Sequence, residues 1–107
     1  MFIRGLPLTV GSAIGATPIS GGTVGSVLFV GTGSVIQQDN ANFFWDDTNN
    51  QLLLGVGTAL LPAYSFSGDA NTGAYQNGAD IYAIATAGVL RASIDATGDV
   101  IFTQGVS

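Results

Sequence analysis

Asp80-Ile81-Tyr82-Ala83-Ile84-Ala85-Thr86-Ala87-Gly88-Val89-Leu90-Arg91-Ala92-Ser93-Ile94-Asp95 is the stretch on which the fold turns. Two runs with β-branched and aromatic residues flank the dipeptide Ala87-Gly88. Runs of this kind with a two-residue link read as a tight β-hairpin, because the glycine supplies a left-handed backbone without steric cost. Strands are therefore expected over 80–86 and 89–95. Downstream, Asp95-Ala96-Thr97-Gly98-Asp99 closes a second turn and leads to a strand over 100–103.

Working back toward the N-terminus, the same grammar repeats. Runs of four to seven β-favouring residues are bounded by Gly, Asn or Asp, which predicts strands over 27–30, 34–37, 42–46, 51–56 and 64–67. Asp46-Asp47-Thr48-Asn49-Asn50 links two of them with side chains that bond nearby backbone. The stretch 68–78 holds three glycines and no long apolar run, and is expected to be a structured loop. Glycines and turn residues recur too often for any amphipathic helix of three turns. The fold class is all-β, built from short strands and hairpins.

Residues 1–23 differ from the rest. Glycines and prolines are scattered through them and bulky residues are few after Leu8. Such a segment cannot bury enough surface to offset its ordering entropy. It is expected to be an extended N-terminal arm docking on a partner, with residues 24–107 forming the β-rich domain. Pro7, Gly11 and Gly15 break the helical core that a secretory signal would need.

The composition removes much chemistry. The 107 residues include no His, no Cys, and only two Arg against seven acidic residues, for a formal net charge of −5. Disulfides, thiol nucleophiles and a Ser-His-Asp triad are excluded, and zinc loses its usual ligands. No Lys is present for a Walker-type loop or a Schiff base. Nucleic acid is not an expected partner, since phosphate contacts need clustered cations. Nor is a membrane, because the most apolar stretch, 52–66, is broken by Gly55, Gly57 and Pro62.

Several local patterns invite functional readings, and each has a plainer one. Gly31-Thr32-Gly33 and Gly55-Val56-Gly57 lack the third glycine and the helix of a dinucleotide fingerprint, and read as strand ends. Asp46-Asp47 as a hydrolase pair gives way to turn capping. Asp69-Ala70-Asn71-Thr72-Gly73 with Asp80 echoes a calcium loop, but its glycine falls one place early and its last ligand is not Glu. No catalytic residue, cofactor or metal is expected. Trp45, Tyr64, Tyr75 and Tyr82 could stack on sugars if exposed. Trp45, inside Phe43-Phe44-Trp45, is expected in a core, and Tyr75 is the preferred exposed ring. Asp69, Asn71 and Tyr75 form the candidate surface-binding loop. Arg91 is expected to pair with an Asp at the surface or a subunit boundary.

Apolar residues make up 47% of the chain, and in 27–30, 43–45 and 52–54 both alternating faces are apolar. Strands of this kind are normally buried on both sides, and a domain this small lacks the interior for all of them. The surplus predicts a closed oligomer of identical chains.

Four phrases, in order over residues 20–102, resemble segments of bacteriophage tail-fibre proteins. They are Ser20-Gly21-Gly22-Thr23-Val24-Gly25-Ser26-Val27-Leu28-Phe29-Val30, then Asn42-Phe43-Phe44-Trp45-Asp46-Asp47-Thr48-Asn49-Asn50-Gln51-Leu52, then Tyr64-Ser65-Phe66-Ser67-Gly68-Asp69-Ala70-Asn71-Thr72-Gly73-Ala74-Tyr75, and finally the region from Gly78-Ala79-Asp80 to Gly98-Asp99-Val100. The resemblance implies a homotrimer, intertwined or side by side, of the tail-fibre or head-fibre β-shaft type, non-enzymatic and exposed on the virion surface. Candidate trimer-core residues are Phe43, Trp45, Leu52, Leu54, Ile84, Leu90 and Ile94. Fibres of this family usually carry a long N-terminal anchor, and many end in a chaperone domain or a receptor-binding tip. Neither is among these residues, which start on Met1. The expectation is a short virion protein made of the same module, a capsid decoration (cement) or head-fibre protein whose arm meets the major capsid protein or another virion protein. A segment of a longer tail fibre, binding host glycans, is the alternative. A depolymerase working through paired Asp is the enzymatic one.

Overall fold

A computed structural model describes residues 13–103. Nine strands and no helix occur among them. β1 (Leu28–Val30) pairs with β2 (Ile36–Gln38), and β3 (Phe43–Asp46) pairs with β4 (Gln51–Leu54), each as a separate antiparallel hairpin. The remaining five, β5 (Tyr64–Phe66), β6 (Asp69–Gln76), β7 (Tyr82–Thr86), β8 (Val89–Ile94) and β9 (Val100–Phe102), form one antiparallel sheet in sequence order. The all-β reading holds, and each of the eight expected strands has its counterpart.

The ninth is a correction. Residues 69–76, expected as loop, form β6, the longest strand of all. Its small polar residues and Gly73 disguise it, because strand propensity favours bulky branched side chains. The structure explains the choice. A Cβ on Gly73 would fall on the carbonyl oxygen of Tyr64, where β5 presses against β6 beside a register shift. Gly73→Ala should therefore cost about 1–3 kcal/mol, as overpacking against backbone does. Thermal unfolding followed by far-UV circular dichroism would show it, and an unchanged midpoint would refute the close approach.

The turns follow their chemistry. Ala87 and Gly88 both lie at positive φ, 53° and 74°, as a two-residue hairpin turn of the primed type requires. The turn is tied down by the Gly88 N–H, which donates to the Asn71 carbonyl at 2.9 Å. Gly31 and Gly55 directly follow β1 and β4, as the strand-end reading expects.

Within the chain the core is small. Tyr75 (6% exposed), Ala83 and Ala85 (both 0%) are its buried apolar members, with Ala59 and Leu90 packed against them. Register explains the grouping: Tyr75 lies opposite Ala83, and Ala85 opposite Leu90. Cα partners in a ladder share a sheet face, so these residues lie on one side. The segment between β4 and β5 covers that side. Its Val56 carbonyl accepts from the Gln76 N–H at 2.8 Å, Pro62 is buried, and Leu60 reaches Gly88.

Consequently the molecule is long and thin, 76 × 31 × 17 Å, with a radius of gyration of 20.3 Å. A compact chain of this length would have about 13 Å. The exposed area is 7868 Å², against about 5,500 Å² for a compact protein of this mass. Among the described residues no large side chain is completely buried. Residues 13–23 carry turns but no strand, and are exposed. The Thr23 N–H and Oγ1 bond the Gln38 side chain at 3.2 and 3.1 Å, tying the end of this segment to β2. The part of the expected arm over 1–12, and the end of the chain from 104, lie outside the described residues.

Candidate functional site

The five-stranded sheet has a second face, opposite the Tyr75 cluster. Along it, Gln76 lies beside Tyr82, Tyr82 beside Ile94 and Ile94 beside Val100. The next row runs Tyr64, Ala74, Ile84, Ala92 and Phe102. Strand alternation sends all of these to one side. Their large members are exposed, from Ile94 at 45% to Phe102 at 68%. Phe66 joins the edge of this surface, its ring edge-on to Tyr64 at 5.9 Å between centroids.

Among the apolar residues of the hairpin β3–β4 only Phe44 is partly covered, and Leu53 opposite it is exposed. The cover on Phe44 comes from the turn at Gly25. A Cβ on Gly25 would stand 2.5 Å from the Phe44 ring, and Gly25 also sits at φ +92°, so the position demands glycine. The opposite face, Phe43 and Leu54 with Trp45 and Leu52, is open. The two open faces meet in a cleft of about 460 Å³, where Leu54 and Val56 face Tyr64, Gln76 and Tyr82.

The sequence-predicted residues fall as follows. Phe43, Trp45, Leu52 and Leu54 share the open hairpin face, and Ile84 and Ile94 share the open sheet face. Leu90 does not join them. It packs on the Tyr75 side, because a register shift between Ile84 and Ala85 turns it to the covered face. Trp45, expected in a core, is 40% exposed, and its Nε1–H donates to Asp47 Oδ1 at 3.3 Å.

Asp69, Asn71 and Tyr75 form no loop. All three lie on β6, and Tyr75, the preferred exposed ring, is buried. The tyrosine rings that the solvent does reach are Tyr64 and Tyr82, on the other side of the sheet. Alternation of Tyr82 with Ile84, and of Val100 with Phe102, is the sequence signal that locates this face.

Arg91 Nε–H donates to Thr86 Oγ1 at 2.9 Å, a bond within the hairpin. The carboxylates do turn chemistry. Asp46 Oδ1 accepts from the backbone N–H of Thr48 and Asn49, and Oδ2 from the Asn49 amide. Asp95 Oδ1 accepts from the Thr97 hydroxyl and from the N–H groups of Thr97 and Asp99. These bonds hold both carboxyls below their ordinary value, led by the Asn49 side chain at Asp46 and by the Thr97 hydroxyl at Asp95.

A depressed folded-state value stabilises the fold above the unfolded value and is lost as pH falls through the folded one. The melting temperature should therefore decline below about pH 4. Asp46→Asn with Asp95→Asn should flatten that decline, and a double variant as acid-sensitive as the parent would refute the assignment.

Among the described residues, no three acidic side chains come together as a metal site, and no helix is long and apolar enough to cross a membrane. What the open faces and cleft can do is bind, by apolar contact and by ring stacking. Compared with known proteins, the chain matches no family model, no curated protein and no solved structure.

Proposed function

We propose that the protein is a non-enzymatic structural component of a bacteriophage virion. Three copies assemble through their apolar β faces, and the protein stabilises the capsid as a decoration or short head-fibre protein at the virion surface. The observation that carries this reading is the combination of an elongated all-β chain, a minimal internal core, and large apolar side chains open along its sheet and hairpin faces. A two-stranded hairpin is marginal alone in water, so β1–β2 and β3–β4 call for a neighbour to lie on. The ordered phrases resembling tail-fibre segments support the same reading and supply the trimer. The N-terminal arm would reach the major capsid protein or another virion protein, adding contact area across subunit boundaries.

The deciding experiment is to find the protein in intact particles by cryo-electron microscopy. Three-fold density on the head, with loss of head integrity when the protein is stripped, is the expected result. Density at the tail tip would overturn the capsid role in favour of a tail-fibre segment.

A second reading is favoured by the cleft. Tyr64 and Tyr82 present exposed rings there beside the Gln76 amide, the combination that sugars engage. On that reading the protein is an adhesin for host glycans. A glycan-array signal lost in Tyr82→Ala would support it, and no signal from the assembled parent protein would refute it.

A further inference from the structure

We infer that the open face of the five-stranded sheet is an interface to a second copy of this chain, formed by seating the large side chains of one copy in the alanine furrows of the other. The inference rests on the oligomeric reading above and adds which surface carries it and how the two surfaces mesh.

The central row of this face alternates in size. Tyr64, Ile84 and Phe102 stand as ridges, and Ala74 and Ala92 lie between them as furrows. Ridges on alternate strands are about 10 Å apart, since neighbouring strands are separated by just under 5 Å. The furrow at Ala92 is a groove of about 230 Å³ bounded by Tyr82, Ile84, Ile94, Val100 and Phe102. That volume admits an aromatic or branched side chain of the kind the ridges present. Around a three-fold axis the ridges of each copy can enter the furrows of the next, and packed sheets interdigitate in this way.

Area and charge favour a copy over other occupants. Seven large side chains are roughly half exposed on this face and its edge, and at about 200 Å² each they leave on the order of 800 Å² to cover. That is about what each partner buries in a stable protein complex. Asp69, Asp80, Asp95 and Asp99 lie at strand ends or in turns, outside the two rows. A chain of net charge −5 can thus meet itself here without placing carboxylates against each other. A glycan would use a few polar groups on such a surface, and the rows offer only Gln76 and the tyrosine hydroxyls.

The chain has no cysteine, so single thiols report cleanly. Ile84→Cys and Tyr82→Cys would be labelled with a maleimide in the purified full chain, beside Ser67→Cys in the exposed β5–β6 turn as reference. Native mass spectrometry would give the oligomeric state of each. The expected result is an oligomer in which positions 82 and 84 react at least about tenfold more slowly than 67, as covered positions do. Ala92→Trp, which fills the furrow, should abolish the oligomer, and Ser67→Trp should leave it intact.

An oligomer whose positions 82 and 84 react as fast as 67 would overturn this interface while leaving the oligomeric reading standing. A chain that is monomeric at tens of micromolar would overturn both. The labelling rates need only the mild cysteine variants, so misfolding of Ala92→Trp would not decide the matter.

Discussion

Hundredfold dilution should lower the melting temperature of this protein by roughly 10 °C, where a monomeric protein would melt unchanged. The expectation follows from the small internal core. Tyr75, Ala83 and Ala85 are its buried apolar members, and among the described residues no large side chain is completely enclosed. Burial on this scale does not offset the ordering of some ninety residues, each costing about 1–2 kcal/mol of backbone entropy. On the proposed assembly, the balance comes from surfaces that are open in the single chain. If folding and trimerisation are one step, mass action makes each hundredfold dilution cost about 1.8 kcal/mol per chain. For a domain of this size that is about 7–14 °C in the midpoint. Differential scanning fluorimetry from 1 to 100 µM would measure it, and a midpoint independent of concentration would sink the coupling of folding to assembly.

The second large effect is expected at Tyr75. Truncating a buried aromatic side chain costs about 3–5 kcal/mol, from lost transfer energy and the cavity left behind. Tyr75→Ala removes the largest member of a cluster that otherwise consists of alanines with Leu90 at its margin. Ala83 and Ala85 cannot collapse into the space, because their backbone is fixed in the middle of the sheet, on β7. The variant should unfold at temperatures where the parent is folded, or fail to accumulate as soluble protein. Tyr82→Ala, on the open face of the same sheet, should lower the melting midpoint by less, because only the part of that ring covered in the assembly is lost. Equal unfolding by the two variants would contradict the assignment of one ring to the internal core and the other to the open face.

The contrast between these two tyrosines shows what could be read ahead of the structure. Tyr82 stands in β-favouring company, and sequence alone places it on a strand by its alternation with Ile84. Tyr75 gives no such signal. Its neighbours Asn71, Thr72, Gly73 and Ala74 are small or polar and imitate a loop, so the buried ring was expected outside. Small residues serve there because β5 comes so close that Gly73 has no room for a Cβ. Close backbone approach is a tertiary fact, and it leaves only a glycine as its trace.

Leu90 teaches the converse. Simple alternation would align it with Ala92 and Ile94 on the open side. The register shift opposite Ile84 and Ala85 places one extra residue on β8 and turns Leu90 inward. A bulge reverses the face of everything beyond it, and no composition rule locates one in advance.

By itself, then, the sequence determined the all-β class, the tight turn at Ala87-Gly88, the capped turns at Asp46 and Asp95, and a surplus of apolar surface. These are local matters, fixed by dihedral preference and by side chains that bond their own backbone. Only the tertiary structure decided which side of the sheet stays open. That choice depends on where the segment between β4 and β5 crosses, on the register shift in β8, and on the tight seat of Gly73. Each is a contact between one segment and another, and a two-residue period has no means of distinguishing one face of a strand from the other until something lies on it.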